Sequence, residues 1–352
     1  MTIPSIKGNG INFNQTIKEY TGQQIQQQIE NDSVSNENQN DNEKEYSISQ
    51  FKKDYSNLLE TKVIPVLLGY EEERKKRLLW AIIAAIIFTI LAIVIFFTID
   101  GRAGGKLAGL CIFGAFTVWH LIKKNFENSV KKVIMPTLMR AVPGFYWQQE
   151  PTITSSEIAT CKIFPFTDRA GNSFDDCFIG KYRNVNIAIS ECNYYVGAGN
   201  NQTTILEGVV IKIDMNKDFE GCTVIRPRLP GYRDKHDDLK RAKMSEVKLE
   251  DPEFDKKFIV YSTDQIEARY LITTSFMERF KAVEKAFDAQ FAYCAFNGRS
   301  VYIAPHTEKD MFSLCSLVSP IYNTEQFEIL FNEFASILAL VDHFKLDKKL
   351  GL

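Results

Sequence analysis

Two long apolar stretches, separated by a short polar turn, dominate the hydrophobic pattern of this chain. Residues 78–99 are 22 consecutive positions without a charged side chain. As an α-helix they would be about 33 Å long, enough to cross a hydrocarbon core of roughly 30 Å. Residues 107–122 form a second apolar run, after a turn that contains Arg102 and Lys106. We therefore predict two transmembrane helices that form a tight hairpin.

Small and aromatic residues in the second run agree with this interpretation. Gly109, Gly114 and Ala115 are expected to let the two helices approach closely. Trp119 lies near the end of the run, as aromatic residues often do at a membrane interface.

Basic residues flank the predicted hairpin mainly on its outer sides. Residues 74–77 are all Arg or Lys, and Lys123 and Lys124 follow the second run, whereas the turn carries two basic residues. Because basic residues are enriched in cytoplasmic loops, we expect both termini and the main domain to be cytoplasmic.

Helical arms are predicted on both sides of the hairpin, at residues 46–77 and 123–142, from apolar side chains at three- and four-residue steps. Pro65 is expected to kink or interrupt the first arm. Pro136 would lie at a similar height in the second arm, and the short stretches around the two prolines resemble each other. We interpret the arms as an antiparallel helical stalk with paired kinks; chance similarity of two short stretches is the alternative.

The beginning of the chain has a different composition. Residues 1–45 are rich in Asn, Gln, Ser and Glu. Such a segment buries too little apolar surface to offset the entropy of ordering, so we predict a disordered tail.

A soluble domain is predicted at residues 150–345, where short runs of β-branched and aromatic residues alternate with Gly, Asn and Asp. Asn297 and Gly298 indicate a hairpin turn between the last two strands. The predicted strands are 176–180, 185–191, 204–214, 221–226, 258–261, 291–296 and 301–305.

Two amphipathic helices complete this predicted domain. Asp264 and Glu267, and again Ser275 and Glu278, have the spacing of a helix-capping box. The last helix, at residues 324–344, places a row of phenylalanines on one face. Strands in groups, with helices set apart, predict an α+β fold with a mainly antiparallel sheet.

Composition excludes several classes of function. The formal net charge is −2, which does not favour nucleic acid as a partner. No two of the seven cysteines are separated by two residues, so the usual zinc and redox pairs are missing and free thiols are expected. No phosphate-binding loop or nucleophile elbow occurs, and we predict no cofactor, metal or catalytic residue.

A basic segment follows the fourth predicted strand. Between residues 226 and 243, seven Lys or Arg face three Asp, a net charge of +4. On a membrane-tethered domain this segment would touch anionic headgroups or a partner; the alternative is a flexible surface loop. Its basic residues are Arg226, Arg228, Arg233, Lys235, Lys240, Arg241 and Lys243.

Five polar residues are the first candidates for an unrecognised active site, which would need convergent polar groups with perturbed pKa values. For Glu267, a role as a helix cap is the stronger interpretation than a role as a catalytic carboxylate. The five candidates are Glu191, Asp214, Glu267, Arg269 and His306.

Several segments resemble a known family. The matching segments are 249–254, 258–265, 267–271 and 276–279, with weaker matches at Asp175, Asp176, Gly180, Ser190, Glu191, Phe219 and Gly221. They resemble domain-of-unknown-function family 3137, whose bacterial members are sometimes labelled galanin, over most of residues 130–345. The resemblance implies a bacterial inner-membrane protein with a hairpin before the domain. It implies no activity, so no functional residue is carried over.

Three functions stay open on the sequence alone. The leading hypothesis is a membrane-anchored interaction module. It would bind a protein partner, the inner leaflet or a second copy of the chain. The second is an enzyme acting on a lipid or envelope precursor. The third is an accessory subunit of a larger membrane assembly.

Overall fold

The computed structural model describes residues 48–99, 101–165, 170–197, 199, 202–215, 217–229, 237–321 and 325–344. The tail predicted at residues 1–45 lies outside these ranges, as do Arg233 and Lys235 of the basic segment.

The chain is helical from Ile48 to Thr98. Helix α1 (Ile48–Leu58) leads into a π-helical segment (Leu59–Val63), which leads directly into α2 (Ile64–Thr98). Pro65 therefore does not interrupt the path. Pro65 lies in the first turn of α2, a position where a helix tolerates a residue without a backbone N–H donor. The π-helical segment ends directly before it, with a hydrogen bond from the Ile64 N–H to the Leu59 carbonyl.

The second long helix, α3 (Arg102–Met139), runs through Pro136 without a break and packs beside α2. Both helices are long and apolar enough to cross a membrane. Within their most apolar windows 11% and 6% of the residues are buried, whereas the core helix of a soluble protein is mostly buried.

Contact between the two long helices uses small residues. Gly114 lies against the Phe88 ring, where a Cβ would approach the ring to 3.0 Å, as the sequence predicts. Gly109 faces open space instead. Ala81, Ala92 and Ala108 are buried, so alanines fill much of the contact.

Among the described residues, nine strands form one antiparallel sheet, in the order β1-β2-β3-β4-β9-β8-β5-β7-β6. The α+β fold class is thereby confirmed. The strands are β1 (Tyr146–Gln148), β2 (Ala170–Tyr182), β3 (Val185–Val196), β4 (Thr203–Asp214), β5 (Thr223–Pro227), β6 (Ser245–Glu246), β7 (Phe258–Ser262), β8 (Phe291–Asn297) and β9 (Ser300–His306).

All seven predicted strands are present. β2 begins six residues earlier than expected, because Gly, Asn and Ser at positions 171–173 give little strand signal. β1 and β6 were not predicted, since three and two residues are too few to show an alternating pattern. The β8–β9 hairpin is confirmed, with Asn297 paired to Ser300 and Gly298 at φ +61°.

Shorter helices pack around the sheet: α4 (Ser155–Cys161), α5 (Asp237–Arg241), α6 (Pro252–Lys257), α7 (Gln265–Leu271), α8 (Thr274–Ala286) and α9 (Glu325–Phe344). Asp264 caps α7 as expected, by accepting hydrogen bonds from the amides of Ile266 and Glu267. The cap of α8 is Thr273 and not Ser275, because the helix begins earlier than its pattern suggested.

The pre-membrane arm joins the core of the domain. The Phe51 ring is fully buried and stacks on Phe331 at 4.8 Å between ring centroids. The Tyr55 hydroxyl donates a 2.8 Å hydrogen bond to the Phe327 carbonyl. Helices α1 and α9 therefore pack face to face, and the arm is bonded to the domain near the end of the described chain.

Candidate functional site

An irregular segment, residues 307–321, connects the sheet to the two long helices; we call it the strap. At its beginning two carboxylates from the domain bind its backbone. The Met311 amide donates to Glu191 Oε1 on β3 at 2.9 Å, and the Phe312 amide donates to Glu333 Oε2 on α9 at 2.9 Å. Both strap residues are buried.

At its other end the strap is bound by α2. The Arg74 guanidinium is buried and donates through Nη1 to the Leu317 carbonyl at 2.9 Å and the Val318 carbonyl at 3.4 Å. Glu71 accepts two hydrogen bonds from Arg74 and one from the Ile321 amide. The hydrogen bonds from Arg74 hold the pKa of Glu71 below its usual value, so this acid stays ionised.

A buried ion pair joins α3 to the sheet. Lys131 contacts Asp176 on β2, with 13% and 1% of the two side chains exposed. Trp147 on β1 donates its indole N–H to the other carboxylate oxygen at 2.9 Å. Burial alone would lower the pKa of Lys131, but Asp176 reverses this and raises it, so the ammonium is retained.

A β-bulge places the Asp176 carboxylate. The register between β2 and β3 shifts between Asp175 and Cys177, so Asp176 has no partner on β3. Its φ of +23° departs from the extended strand conformation. A bulge of this kind redirects the side chain at the extra residue, here toward the stalk.

The remaining carboxyls of this junction have strongly shifted pKa values. Burial, together with the nearby Asp310 and Asp176, raises the pKa of Glu191 to about 9. Burial also raises the pKa of Glu333 to about 7, although the Phe312 amide opposes the shift. At neutral pH Glu191 therefore carries a proton and Glu333 is partly ionised.

We call Lys131, Trp147, Asp176, Glu191 and Glu333 the junction cluster. It joins α3, β1, β2, β3, α9 and the strap at one place. No group of three or more His, Cys, Asp or Glu in the described ranges has the arrangement of a metal site. The geometry is that of a mechanical and electrostatic connection between the long helices and the domain.

The five polar candidates from the sequence do not converge. Glu191 belongs to the junction cluster, but Asp214 and His306 lie at opposite ends of the β4–β9 pair. Asp214 pairs with Ser300, and His306 pairs with Gly208, six residues or roughly 20 Å along β4.

The other candidates have structural contacts. His306 accepts a 2.9 Å hydrogen bond from the Glu207 amide and stacks on Phe291. Arg269 donates to the carbonyl of Gln265, in the preceding helical turn. These contacts account for both side chains without a reaction.

Glu267 binds a loop. Its two carboxylate oxygens accept hydrogen bonds from the amides of Glu220, at 2.9 Å, and Gly221, at 2.7 Å. The expected capping box is therefore incomplete, because the Asp264 amide donates to Ser262 instead. Glu267 ties α7 to the loop before β5.

Arg226 is not available as a surface contact. It is 1% exposed, because all residues of β5 are buried, and its guanidinium donates two hydrogen bonds to Asp238. It also donates to the carbonyls of Lys162, Ile163 and Phe164. The prediction that it touches a membrane or partner is therefore wrong.

Four other residues of the basic segment are described. Arg228 is exposed and forms ion pairs with Glu246 and Asp255. The other exposed members are Lys240, Arg241 and Lys243.

The sequence missed the junction as a site, although the weak family matches point to it. Asp175 is the cross-strand neighbour of Glu191, and Ser190 is the neighbour of Cys177 beside the bulge. A Cβ at Gly180 would overlap the Phe145 ring, which explains a glycine there.

Comparisons with known proteins give the following. A search of curated proteins finds no match. Among solved structures, the chain is similar to the mycobacterial trehalose monomycolate transport factor A, TtfA, with 12% identity and a TM-score of 0.27, over 56% of this chain and 88% of that chain. A similarity this weak supports no statement about fold or function. A family model described as a protein of unknown function (DUF3137) matches residues 204–346. The match supports membership of that part of the chain in this family.

Proposed function

We propose that this chain is a membrane-anchored interaction module. In this proposal α2 and α3 cross a bacterial inner membrane twice, and the sheet domain lies in the cytoplasm, where it binds a protein partner or the inner leaflet.

One observation carries the proposal: the apolar helices continue without a break into arms that are bonded to the domain. Arg74 on α2 binds the strap, and Lys131 on α3 binds Asp176 inside the sheet. A helix transmits position over its whole length, so such bonds would hold the domain at a fixed height and orientation below the spans. A rigidly held domain suits recognition at the membrane.

An exposed apolar face on α7 supports a protein partner. Ile266 and Tyr270 are one helical turn apart and are 71% and 63% exposed. Large exposed side chains on one helix face are typical of binding surfaces. The five polar candidates do not converge, so no observation favours the enzymatic alternative.

The anchoring is tested by replacing residues 79–121 with a short Gly/Ser loop. The arms lie side by side, with the Arg77 guanidinium 5.6 Å from the centre of the Phe126 ring, so a short loop can join them. We expect a soluble variant whose circular dichroism differs from that of the full chain only by the loss of the deleted helix, while the full chain stays in membranes after an alkaline wash. A variant that remains in the membrane fraction would contradict the proposal.

The interaction is tested by cross-linking the full chain in its own lipids, followed by mass spectrometry. We expect a stoichiometric protein partner that is lost in an Ile266→Lys, Tyr270→Ser variant but kept in a control with Lys256→Ser, an exposed residue outside the basic segment. A bound metabolite without any protein or lipid partner would favour an enzyme instead.

A further inference from the structure

The tip of the strap exposes apolar side chains between buried ones. Val318 is 59% exposed and Pro320 is also exposed, whereas Leu317 and Ile321 on either side are buried. Residues 316–321 contain no charged side chain. The tip therefore presents a small apolar surface on a segment whose flanks are fixed in the core.

Contacts with both long helices place this tip at a similar distance from the ends of the apolar runs. Arg74, which binds the Leu317 and Val318 carbonyls, precedes the first residue of the apolar run 78–99 by four positions, or about 6 Å. On α3, the Leu317 backbone lies near Glu127, where it opposes the rise that burial causes in the pKa of this carboxyl. Glu127 lies five positions or about 7.5 Å after the last residue of the run 107–122. The two helices therefore give similar distances, about 6 Å and about 7.5 Å, between the strap tip and the end of an apolar run.

That distance from the apolar runs is the level of lipid headgroups. A bilayer is about 40–45 Å thick with its headgroups and roughly 30 Å without them, which leaves about 5–7 Å on each side. Exposed basic residues lie at the same level and complement anionic headgroups: Lys76 and Lys124. Lys75 beside them is paired with Glu72 at 3.1 Å.

We infer that the strap tip, Val318 with Pro320, inserts into the headgroup layer beside the first span. This inference rests on the proposed membrane anchoring and deepens it: the lipid interface becomes a third contact with the bilayer. The strap also binds Glu191 and Glu333 of the junction cluster. Lipid at the tip would thus be connected to the interior of the domain through one continuous segment.

The test uses the full chain with one fluorescent NBD probe at a time, in vesicles of phosphatidylethanolamine and phosphatidylglycerol. Cys111→Ala and Cys222→Ala remove the two partly exposed thiols; the other five are buried. Probes are attached at Val318→Cys, at Ile266→Cys as an exposed apolar control, and at Ile90→Cys in the first span. Ile266 is the second residue of α7, four positions after the end of β7. In the sheet, β7 lies roughly 34 Å or seven strand spacings from β1 beside the stalk.

We expect the emission of the NBD probe at position 318 to be blue-shifted. Lipids that are spin-labelled near the headgroup should quench this emission several-fold more than aqueous iodide does. The probe at position 266 should show the reverse. Iodide quenching at 318 equal to that at 266 would overturn the inference. If lipids spin-labelled deep in the acyl chain still quench the probe at position 90, the anchoring stands. Loss of lipid quenching at 90 would overturn both. Shielding at 318 from both quenchers would identify protein as the occupant and also overturn the inference.

Discussion

The two halves of α2 and α3 pack by different rules. In the apolar halves large side chains point outward, as with Trp80 at 67% and Phe97 at 79% exposure, and alanines are buried. In the arms the reverse holds: Phe126 and Leu138 are fully buried, and charged side chains bond to the domain. Each helix therefore has one half with exposed large apolar side chains and one half that packs against the domain.

If α2 and α3 cross a membrane as proposed, the difference follows from the two solvents. In lipid there would be no hydrophobic gain from burying a large apolar side chain, so small residues would make the helix contact. Beside the domain, water is the alternative, and burial of large side chains together with paired charges stabilises the contact. The junction cluster lies where polar pairing first becomes available below the spans.

Breaking the junction should have the largest effect. Lys131→Met removes the partner of a carboxylate that is 1% exposed, and loss of one partner of a buried pair costs about 3–5 kcal/mol. Denaturant unfolding of the variant with the polar loop measures this loss. Lys132→Met, an exposed neighbour on α3, is the matched control and should change little. Equal effects of the two substitutions would show that the pair does not hold the arm.

A charge in the apolar half tests the other side of the comparison. Ile90→Asp should reduce membrane integration by about 2.5–3.5 kcal/mol, because a carboxylate at the centre of a span is poorly inserted. The readout is the fraction of chain that resists alkaline extraction. Ile329→Asp on α9 is similarly exposed, 49% against 56%, and should leave integration unchanged. If Ile90→Asp is equally silent, residues 78–99 do not cross a membrane.

The raised pKa values in the junction predict a pH dependence of stability. Glu191 and Glu333 are raised from 4.5 to about 9 and about 7, so over those intervals the unfolded chain binds fewer protons than the folded chain. The free energy of unfolding should therefore fall as pH rises from about 4.5, on the order of 1 kcal/mol per pH unit for each group, until each folded-state pKa is passed. The groups facing them are Asp176, Asp310, Lys131 and Lys309.

Glutamine variants separate the two contributions. Glu191→Gln should reduce the slope from about pH 4.5 to 9 and remove the decline between pH 7 and 9, whereas Glu333→Gln should reduce the slope below pH 7 only. Chemical unfolding across this range measures both. A wild-type stability that rises from pH 5 to 8 would contradict the burial of these carboxyls.

The smallest effect is expected at the contact of α1 with α9. Tyr55→Phe removes the hydrogen bond to the Phe327 carbonyl and should cost about 1 kcal/mol. Tyr270→Phe on α7, which is 63% exposed, is the control and should be neutral. A loss at Tyr55 no larger than at Tyr270 would mean that the arm is not bonded to the domain there.

Elements whose pattern is visible in neighbouring residues were predictable from the sequence. The apolar runs and seven strands carry patterns that depend on near neighbours, and these elements are present. The burial of Arg226 was not predictable, because its carboxylate partner and the carbonyls around it come from separate segments. Glu191 was selected only as a polar residue in a strand. Its role depends on Lys131, Asp176 and Met311. These partners lie from 60 positions before it to 120 positions after it, so a local pattern could not show them.

The central claim, a hairpin that crosses the membrane twice with the domain inside, is tested most directly by thiol labelling in intact cells. Cys161 and Cys177 are fully buried, so introduced cysteines are needed. Ala103→Cys lies at an exposed position in the first turn of α3, next to the connection between the two long helices. Lys248→Cys lies on the domain, where the side chain is 70% exposed. With Cys111 and Cys222 replaced by alanine, a membrane-impermeant maleimide should label position 103 in intact cells and position 248 after lysis alone. Labelling of position 248 in intact cells would contradict the account.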